Sequence, residues 1–336
     1  MRKLRAFVLL LLVAAGVAGA WFYSDWSRFV DAPLAVEKDA PPLVVAPGTS
    51  FAGIVQQLDS RRMTAADPLY WRALAEWLGV SKSLHAGEYA LVEGITPREL
   101  LLKMARGDVV QHRFTIVEGW SFRELRAALA KDEGLAHTID AMADDALMSK
   151  LGAPGVAPEG RFLPETYAWS RGDSDLDVLQ RAKQAMDKAL AEAWDARAAE
   201  LPLKSPDEAL VLASIVEKET GVAAERPRIA GVFVRRLKIG MLLQTDPTVI
   251  YGLGSAFDGN LTREHLERDT PYNTYTRAGL PPTPIALPGR AALAAATQPA
   301  PGNELYFVAR GDGSHEFTSS LAAHNAAVAK FQLRRR

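Results

Sequence analysis

Two carboxyl groups at the end of one apolar segment are the residues of this chain best placed to move a proton. They are Glu217 and Glu219 in Leu210-Val211-Leu212-Ala213-Ser214-Ile215-Val216-Glu217-Lys218-Glu219-Thr220-Gly221. The segment opens as a helix: Ser205-Pro206-Asp207-Glu208 supplies an N-cap hydroxyl, a proline at the first helical position and a capping-box glutamate. Gly221 stands where a C-terminal glycine would end it. Leu212, Ile215, Val216 and Glu219 fall at i, i+3, i+4 and i+7 and share one face. Each residue turns the helix by about 100°, so Glu217 points to roughly the opposite side and is expected to be solvated or ion-paired. Glu219 is expected at the margin of a core. Burial there disfavours the ionised form and raises the pKa, as a general acid needs near neutral pH. A structural ion pair or a loop cap would use the same position, and helix geometry leaves both readings open.

The segments around this helix decide what the carboxyl group faces. A second helix is expected over residues 225–238, with Ile229, Val232, Phe233 and Leu237 inward. Periodicity then stops, and residues 240–288 read as a long irregular loop. It carries Gln244-Thr245-Asp246-Pro247, Tyr251-Gly252, Tyr272-Asn273-Thr274-Tyr275 and Gly279-Leu280-Pro281-Pro282-Thr283-Pro284-Ile285. A loop of that length in a compact domain is usually functional. Amides, hydroxyls and carboxylates interleaved with aromatic rings are the groups that hold sugars, by hydrogen bonds to hydroxyls and by stacking on ring faces. A core-edge glutamate beside such a loop suggests cleavage of a glycosidic bond. Glycosidases use two carboxylates. The second candidate is Asp246, although Asp246-Pro247 is also a turn initiator that could simply cap a helix.

At 336 residues the chain is long enough for two or three domains with full cores. A net charge of −1 gives no bulk electrostatic case for nucleic acid. The chain contains no cysteine, which excludes disulfides, thiolate metal sites, cysteine nucleophiles and a lipid-modified N-terminal cysteine. Met1-Arg2-Lys3-Leu4-Arg5 is basic, and residues 6–23 form an apolar run close to the minimum for a membrane-spanning helix. Trp21, Tyr23 and Trp26 stand at its far end like an aromatic belt, and the basic start should stay cytoplasmic. Ala18-Gly19-Ala20 would suit a signal-peptide cleavage site. The run is longer than a usual signal core, which favours an uncleaved anchor in the cytoplasmic (inner) membrane with the bulk of the chain outside.

Pro33, Pro41, Pro42 and Pro47 suggest an extended spacer after the anchor. Residues 42–92 then read strand, helix, helix, strand: Leu43-Val44-Val45, a helix from Phe51 to Leu58, a helix from Asp67 to Leu78 carrying Trp71, Leu74 and Leu78, and a strand over residues 84–91. This order, with Pro47-Gly48-Thr49 before the first helix and Gly87-Glu88-Tyr89 in the last strand, resembles a LysM-like glycan-binding module; a small platform without a ligand has the same pattern. Further helices are expected over residues 96–105, 122–129, 173–200 and 288–297, and a strand over 114–121. Residues 305–309 and 315–318 form a hairpin across Gly311-Asp312-Gly313, and His324-Asn325 falls on a last helix.

The stretch Ala213-Ser214-Ile215-Val216-Glu217-Lys218-Glu219-Thr220, with Gln244-Thr245-Asp246-Pro247-Thr248-Val249-Ile250-Tyr251-Gly252, Tyr272-Asn273-Thr274-Tyr275 and Gly279-Leu280-Pro281-Pro282, resembles the endolytic murein transglycosylase family (MltG, YceG-like). Tyr306-Phe307-Val308-Ala309, His315-Glu316-Phe317 and His324-Asn325 fit the family's C-terminal end, and the order matches from about residue 43 onward. Leu163-Pro164-Glu165-Thr166-Tyr167 departs from it, with Glu165 where the family tends to have an aspartate.

The resemblance implies that Glu219 is the catalytic acid/base. It implies cleavage of the MurNAc-GlcNAc β-1,4 bond within peptidoglycan strands, with 1,6-anhydro-MurNAc ends as product and peptidoglycan synthases at the membrane as partners. Gln244, Asp246, Tyr251, Asn273 and Tyr275 would hold the glycan or stabilise developing charge. No metal ligand set and no cofactor are expected; His315 reads as a hairpin residue and His324 as a helix-face residue. The expected architecture is α+β: a tail (1–5), a transmembrane helix (6–23), a linker (24–41), the LysM-like module (42–92), a connecting α+β region (93–200) and a mixed α/β catalytic region (201–336) with a polar groove loop. A non-enzymatic peptidoglycan-binding scaffold and a two-carboxylate muramidase are the alternatives.

Overall fold

The computed structural model describes residues 2–333. Met1, in the basic tail, and residues 334–336, at the end of the catalytic region, lie outside the described residues. The protein is mixed α and β, with helices predominating and short two-stranded sheets. Its chain divides into two compact units. One comprises residues 1–112 and 168–172, the other residues 113–167 and 173–336.

The first unit begins with α1 (Arg2–Asp31), unbroken through the apolar run and beyond it. Between Leu4 and Tyr23 its large apolar side chains are exposed; at its end Val30 is buried, and Trp26 and Phe29 pack on the unit's core. The expected spacer is therefore no free linker. Residues 24–31 are helical, Leu34 is buried, and its N–H donates to Ile95 O at 2.8 Å, while Ala35 N–H donates to Met63 O at 3.0 Å. Strand β1 (Leu43–Val45) pairs antiparallel with β2 (Gly87–Tyr89), Leu43 opposite Tyr89. Between them stand α2 (Phe51–Ser60) and α3 (Pro68–Trp77), capped by Ser50 and Asp67 as their sequences require. Strand β2 is shorter than the alternation suggested. The unit is closed by α4 (Pro97–Ala105), whose Thr96/Glu99 capping box is complete. Trp71, Leu74, Tyr89, Leu100 and Met104 form its centre.

The second unit starts in β3 (His112–Thr115), where Phe114 marks a strand somewhat earlier than the residues 114–121 expected, and continues through α5 (Phe122–Leu129). Helix α6 (Asp144–Lys150) and strand β4 (Thr166–Trp169) were not legible from pattern. The long helix α7 (Asp175–Asp195) ends short of the expected residue 200. At the centre is α8 (Pro206–Glu219), packed by α7, α9 (Arg226–Lys238) and α12 (Arg290–Thr297). Every residue from Ala209 to Val216 is buried, so α8 has no solvent face over that length. The one-sided stripe read from Leu212, Ile215 and Val216 understates this, because Leu210, Val211 and Ala213 are as enclosed as the stripe itself. The alanines of α12 let its backbone approach α8 closely. The only polar side chain in that buried stretch, Ser214, donates to Val211 O (2.7 Å) and accepts from Ile285 N–H (3.0 Å), tying the 279–288 segment to the helix.

Residues 240–288 are not one irregular loop. They contain α10 (Asp246–Leu253) and the short α11 (Arg263–Glu267). The unit ends with the hairpin β5 (Tyr306–Ala309) and β6 (His315–Thr318), Tyr306 opposite Thr318, followed by α13 (Leu321–Val328).

The helix at the centre should be the least tolerant of truncation. Leu212→Ala removes a fully buried side chain and is expected to cost about 2–5 kcal/mol, whereas Val117→Ala, at an exposed site, should stay within roughly 0.5 kcal/mol. Thermal unfolding followed by near-UV circular dichroism separates the two.

Candidate active site

Glu219 is the last residue of α8, so its carboxyl group sits at the negative end of the helix dipole. The helix does not stop at an αL glycine as its sequence suggested. Thr220 is the C-cap in an extended conformation (φ −146°, ψ 134°), and Gly221 does not adopt positive φ. Extended backbone at Thr220 turns the chain away at once and leaves Glu219 at a terminus. One carboxyl oxygen, Oε1, accepts a short hydrogen bond from the Thr245 hydroxyl. Thr245 is itself fixed: its N–H donates to Thr274 Oγ1 at 3.1 Å, and Thr248 Oγ1, 2.9 Å from Thr274 Oγ1, donates to Thr245 O at 2.7 Å. This buried set of threonines holds one carboxyl oxygen and leaves the rest of the group facing a cleft.

The cleft has a volume of about 530 Å³, within the usual range of ligand sites. Glu219, Arg236, Gln244, Asp246, Tyr275 and His315 are among its walls, together with Tyr306, His324 and Asn325. The pKa of Glu219 is raised from 4.5 to about 7. Burial is the main cause; the Thr245 hydrogen bond pulls the value down, the Asp246 charge pushes it up, and His315 and Arg236 lower it. The helix terminus acts in the same direction as burial.

Of the residues singled out in the sequence, Gln244, Asp246 and Tyr275 share this cleft with Glu219. Asp246 does not cap α10. It is the first residue of that helix, and its Oδ1 accepts from the Tyr275 hydroxyl at 2.5 Å. Burial, then this bond, raises the pKa of Tyr275, which keeps the phenol protonated as a donor. Gln244 has φ 52°, a left-handed conformation that costs a non-glycine residue about 1–3 kcal/mol and that tends to mark functional sites.

The structure does not bring Tyr251 and Asn273 to the cleft. Asn273 is buried; its Nδ2 donates to Arg268 O (2.7 Å) and Leu266 O (3.0 Å), and its Oδ1 accepts from Tyr275 N–H (2.8 Å), so it shapes the turn that presents Tyr275. Tyr251 packs edge-on against Tyr272 and donates to Glu159 Oε2 at 3.1 Å. Glu159 is a second carboxyl with a pKa raised to about 7, again chiefly by burial. Both its oxygens accept from Phe122 N–H, at 3.0 and 3.2 Å, and it lies outside the cleft walls. The shift alone does not distinguish Glu159 from Glu219; access to the cleft does. Gly160, next in sequence, has φ 79°, and a Cβ there would lie 2.6 Å from Pro284, so only glycine fits this close approach.

Glu217 is not solvated. Its side chain is 5% exposed, pairs with Arg226 at 3.4 Å and accepts from Gly289 N–H at 2.9 Å. The opposite face of α8 is covered by α9 and by the segment entering α12, which the helix pattern alone could not reveal. The ion-pair half of the expectation holds and the solvent half does not.

Sequence reasoning missed the wall formed by Arg236, Tyr306 and the two histidines. Arg236 looks like a surface residue of a basic helix end, yet it is buried and donates to Leu305 O (2.7 Å) and Leu243 O (2.7 Å). His315 does belong to the hairpin, but it is not without a partner: its Nδ1 lies 2.7 Å from Glu225 Oε2. His324 stacks on Tyr306 with ring centroids 5.2 Å apart. The hairpin and α13 carry these groups far along the chain from Glu219, and no local pattern announces that they meet it. Elsewhere, His137, Asp140 and Asp175 lie together. The Asp175 carboxylate already accepts from Thr138 Oγ1 (2.6 Å) and Thr138 N–H (3.0 Å), which assigns it to closing that loop.

A family model described as the YceG-like family matches residues 43–330. The endolytic murein transglycosylase of Bacillus subtilis (strain 168) is 30% identical over 319 residues, spanning 88% of this chain and 87% of that protein. The protein of the same name from Streptococcus pneumoniae serotype 2 is 25% identical over 366 residues, spanning 97% of this chain and 65% of that one. Among solved structures, a crystal structure described as that of a yceG-like protein from Listeria monocytogenes aligns with a TM-score of 0.54 and 27% identity over 85% of this chain and 98% of that chain.

The raised pKa of Glu219 has a stability signature. A folded-state value above the ordinary 4.5 contributes fully to stability below about pH 4.5, and that contribution is lost as pH rises through about 7. At pH 8 the ionised carboxylate should cost on the order of 3 kcal/mol. Glu219→Gln should therefore melt higher than the native protein at pH 8, with the gap closing toward pH 4.5. Melting curves across that range check it.

Proposed function

Because the chain belongs to the YceG-like family, we propose that it is an endolytic murein transglycosylase, anchored by α1 in the cytoplasmic membrane, with Glu219 as its catalytic acid and base. It cuts MurNAc-GlcNAc β-1,4 bonds within nascent peptidoglycan strands, leaves 1,6-anhydro-MurNAc ends, and so limits strand length. The observation that carries the catalytic reading is a single carboxyl group of raised pKa, held by Thr245 and open to a cleft of polar and aromatic walls.

Protonated Glu219 gives its proton to the glycosidic oxygen as the bond to C1 breaks. The resulting carboxylate takes the proton of the muramoyl C6 hydroxyl as that oxygen attacks C1. The nucleophile belongs to the substrate, so its effective concentration is high and no water has to be positioned. A pKa of about 7 suits both halves of this exchange, since the group must donate and then accept at one pH. Asp246 and Tyr275, bonded to each other, and Gln244 offer hydrogen bonds to sugar hydroxyls. Tyr251 and Asn273 act from behind the walls, through Glu159 and through the Tyr275 turn. The membrane reading is supported by the exposed apolar length of α1, whose large apolar side chains from Leu4 to Tyr23 are uncovered. The LysM-like order of residues 42–92 supports glycan binding by the first unit.

Two substitutions separate chemistry from support. Glu219→Gln keeps shape but cannot exchange the proton, so formation of anhydro ends from purified sacculi should fall by about 10²–10⁴-fold. Glu217→Gln breaks a buried ion pair and should lower the melting temperature, at a cost of up to about 3–5 kcal/mol, while the folded protein keeps cutting. Mass spectrometry of the products scores both. Native yields from Glu219→Gln would move the acid elsewhere.

A further inference from the structure

We propose that the first unit rests directly on the bilayer, with Leu69 and the ring of Tyr70 set into the layer where lipid tails meet a zwitterionic headgroup surface. The inference rests on the membrane reading of α1 and deepens it, since an anchor by itself would allow the unit to hang clear on a spacer.

The register of α1 supplies the first argument. Residues 4–23, at 1.5 Å each, span about 30 Å, the thickness of a hydrocarbon core. Phe22 therefore stands at the outer boundary. The ring of Tyr70 lies 6.3 Å from that of Phe22 and 5.8 Å from that of Trp26, and its hydroxyl donates to Asp25 at 2.7 Å. Tyr70 thus extends the ring of Trp21, Tyr23 and Trp26, with an apolar body toward the tails and a hydroxyl toward water, the arrangement aromatic side chains take at this depth. Leu69, beside it in the first turn of α3, is 70% exposed. A lone exposed leucine is ordinary. This one is next to Tyr70, whose ring packs on the end of the apolar helix, where lipid would cover it.

Rigidity supplies the second argument. Helix α1 runs without a break from the apolar run into the unit, so no hinge separates them. Phe29 packs edge-on against Trp71, Arg98 Nε holds Asp31 at 3.1 Å, and the Leu34 and Ala35 amides are bonded to Ile95 and Met63. The unit cannot swing away from the helix that carries it. Beside Tyr70 opens a groove of about 810 Å³, walled in part by Asp25, Arg28, Asp59, Arg62 and Asp67. Charges of both signs at that level suit headgroups that carry a phosphate and an ammonium together. A unit seated in this way meets glycan only within reach of the membrane, where strands are newly made.

The chain contains no cysteine, so single replacements can carry an environment-sensitive fluorophore in the otherwise native full-length protein. Leu69→Cys tests the docked face, Val13→Cys the anchor, and Lys82→Cys an exposed site elsewhere on the unit. Each is reconstituted in phosphatidylcholine vesicles and quenched by lipids spin-labelled near the headgroup or deep in the tail, and by aqueous iodide. The label at 69 should lose most of its emission to the shallow lipid quencher and be shielded from iodide. The label at 13 should respond to the deep quencher, and the label at 82 to iodide alone. If 13 responds to lipid while 69 is open to iodide and untouched by lipid, the docking is wrong and the anchor stands. If neither senses lipid, both readings fall. Equal shallow quenching at 69 and 82 would overturn a preferred docked face.

Discussion

The proposed mechanism needs Glu219 protonated near neutral pH, shielded from water without losing every partner, and the packing of the second unit meets both conditions. Burial raises the pKa, but an unpartnered buried carboxyl would be costly and free to turn. The answer here is a helix enclosed along most of its length by α7, α9 and α12, ending in Glu219 at a cleft. One oxygen is held by Thr245, and the group faces the cleft. The polar side chains near the end of α8 that face neighbours bind them: Ser214 to the backbone before α12, Glu217 to Gly289 and Arg226, Lys218 to Gly119 O. Position of the carboxyl group is therefore set by the packing of the whole unit.

The cleft walls show the same economy. Arg236 secures the hairpin by its bonds to Leu305 and Leu243 carbonyls while presenting positive charge near Glu219. Glu225 holds His315, and Asn273 shapes the turn that aims Tyr275 at Asp246. The strained backbone of Gln244 follows from the same demand, since Thr245 must reach Glu219 immediately after a chain reversal that bonds Gln244 N–H to Thr274 O.

Much of this was legible in the sequence where the signal was local. The cap and proline placed the start of α8, and the Gly311-Asp312-Gly313 turn placed the β5–β6 hairpin, because these depend on a few neighbouring residues. The core-edge position of Glu219 could be read from its spacing to Leu212, Ile215 and Val216. What failed was whatever depends on distant covers. Glu217 read as solvated or ion-paired, and nothing nearby in sequence announces that Gly289 and Arg226 close over it. The burial of Arg236 was hidden for the same reason. Helix α10 was hidden in a polar stretch because its propensity is weak and its support comes from the threonines at 245, 248 and 274. Tyr251 and Tyr275 are alike as sequence, both aromatic in a turn-rich region, yet one faces Glu159 and the other Asp246.

The central claim is that one glutamate suffices because the substrate brings its own nucleophile. Cleavage of sacculi in water enriched in ¹⁸O tests it most directly, with the new muramoyl ends read by mass spectrometry. Internal attack by the C6 hydroxyl predicts anhydro ends that carry no label from solvent. Reducing ends carrying one ¹⁸O would contradict it, showing that water is the nucleophile and that a second group, with Asp246 first in line, must activate it.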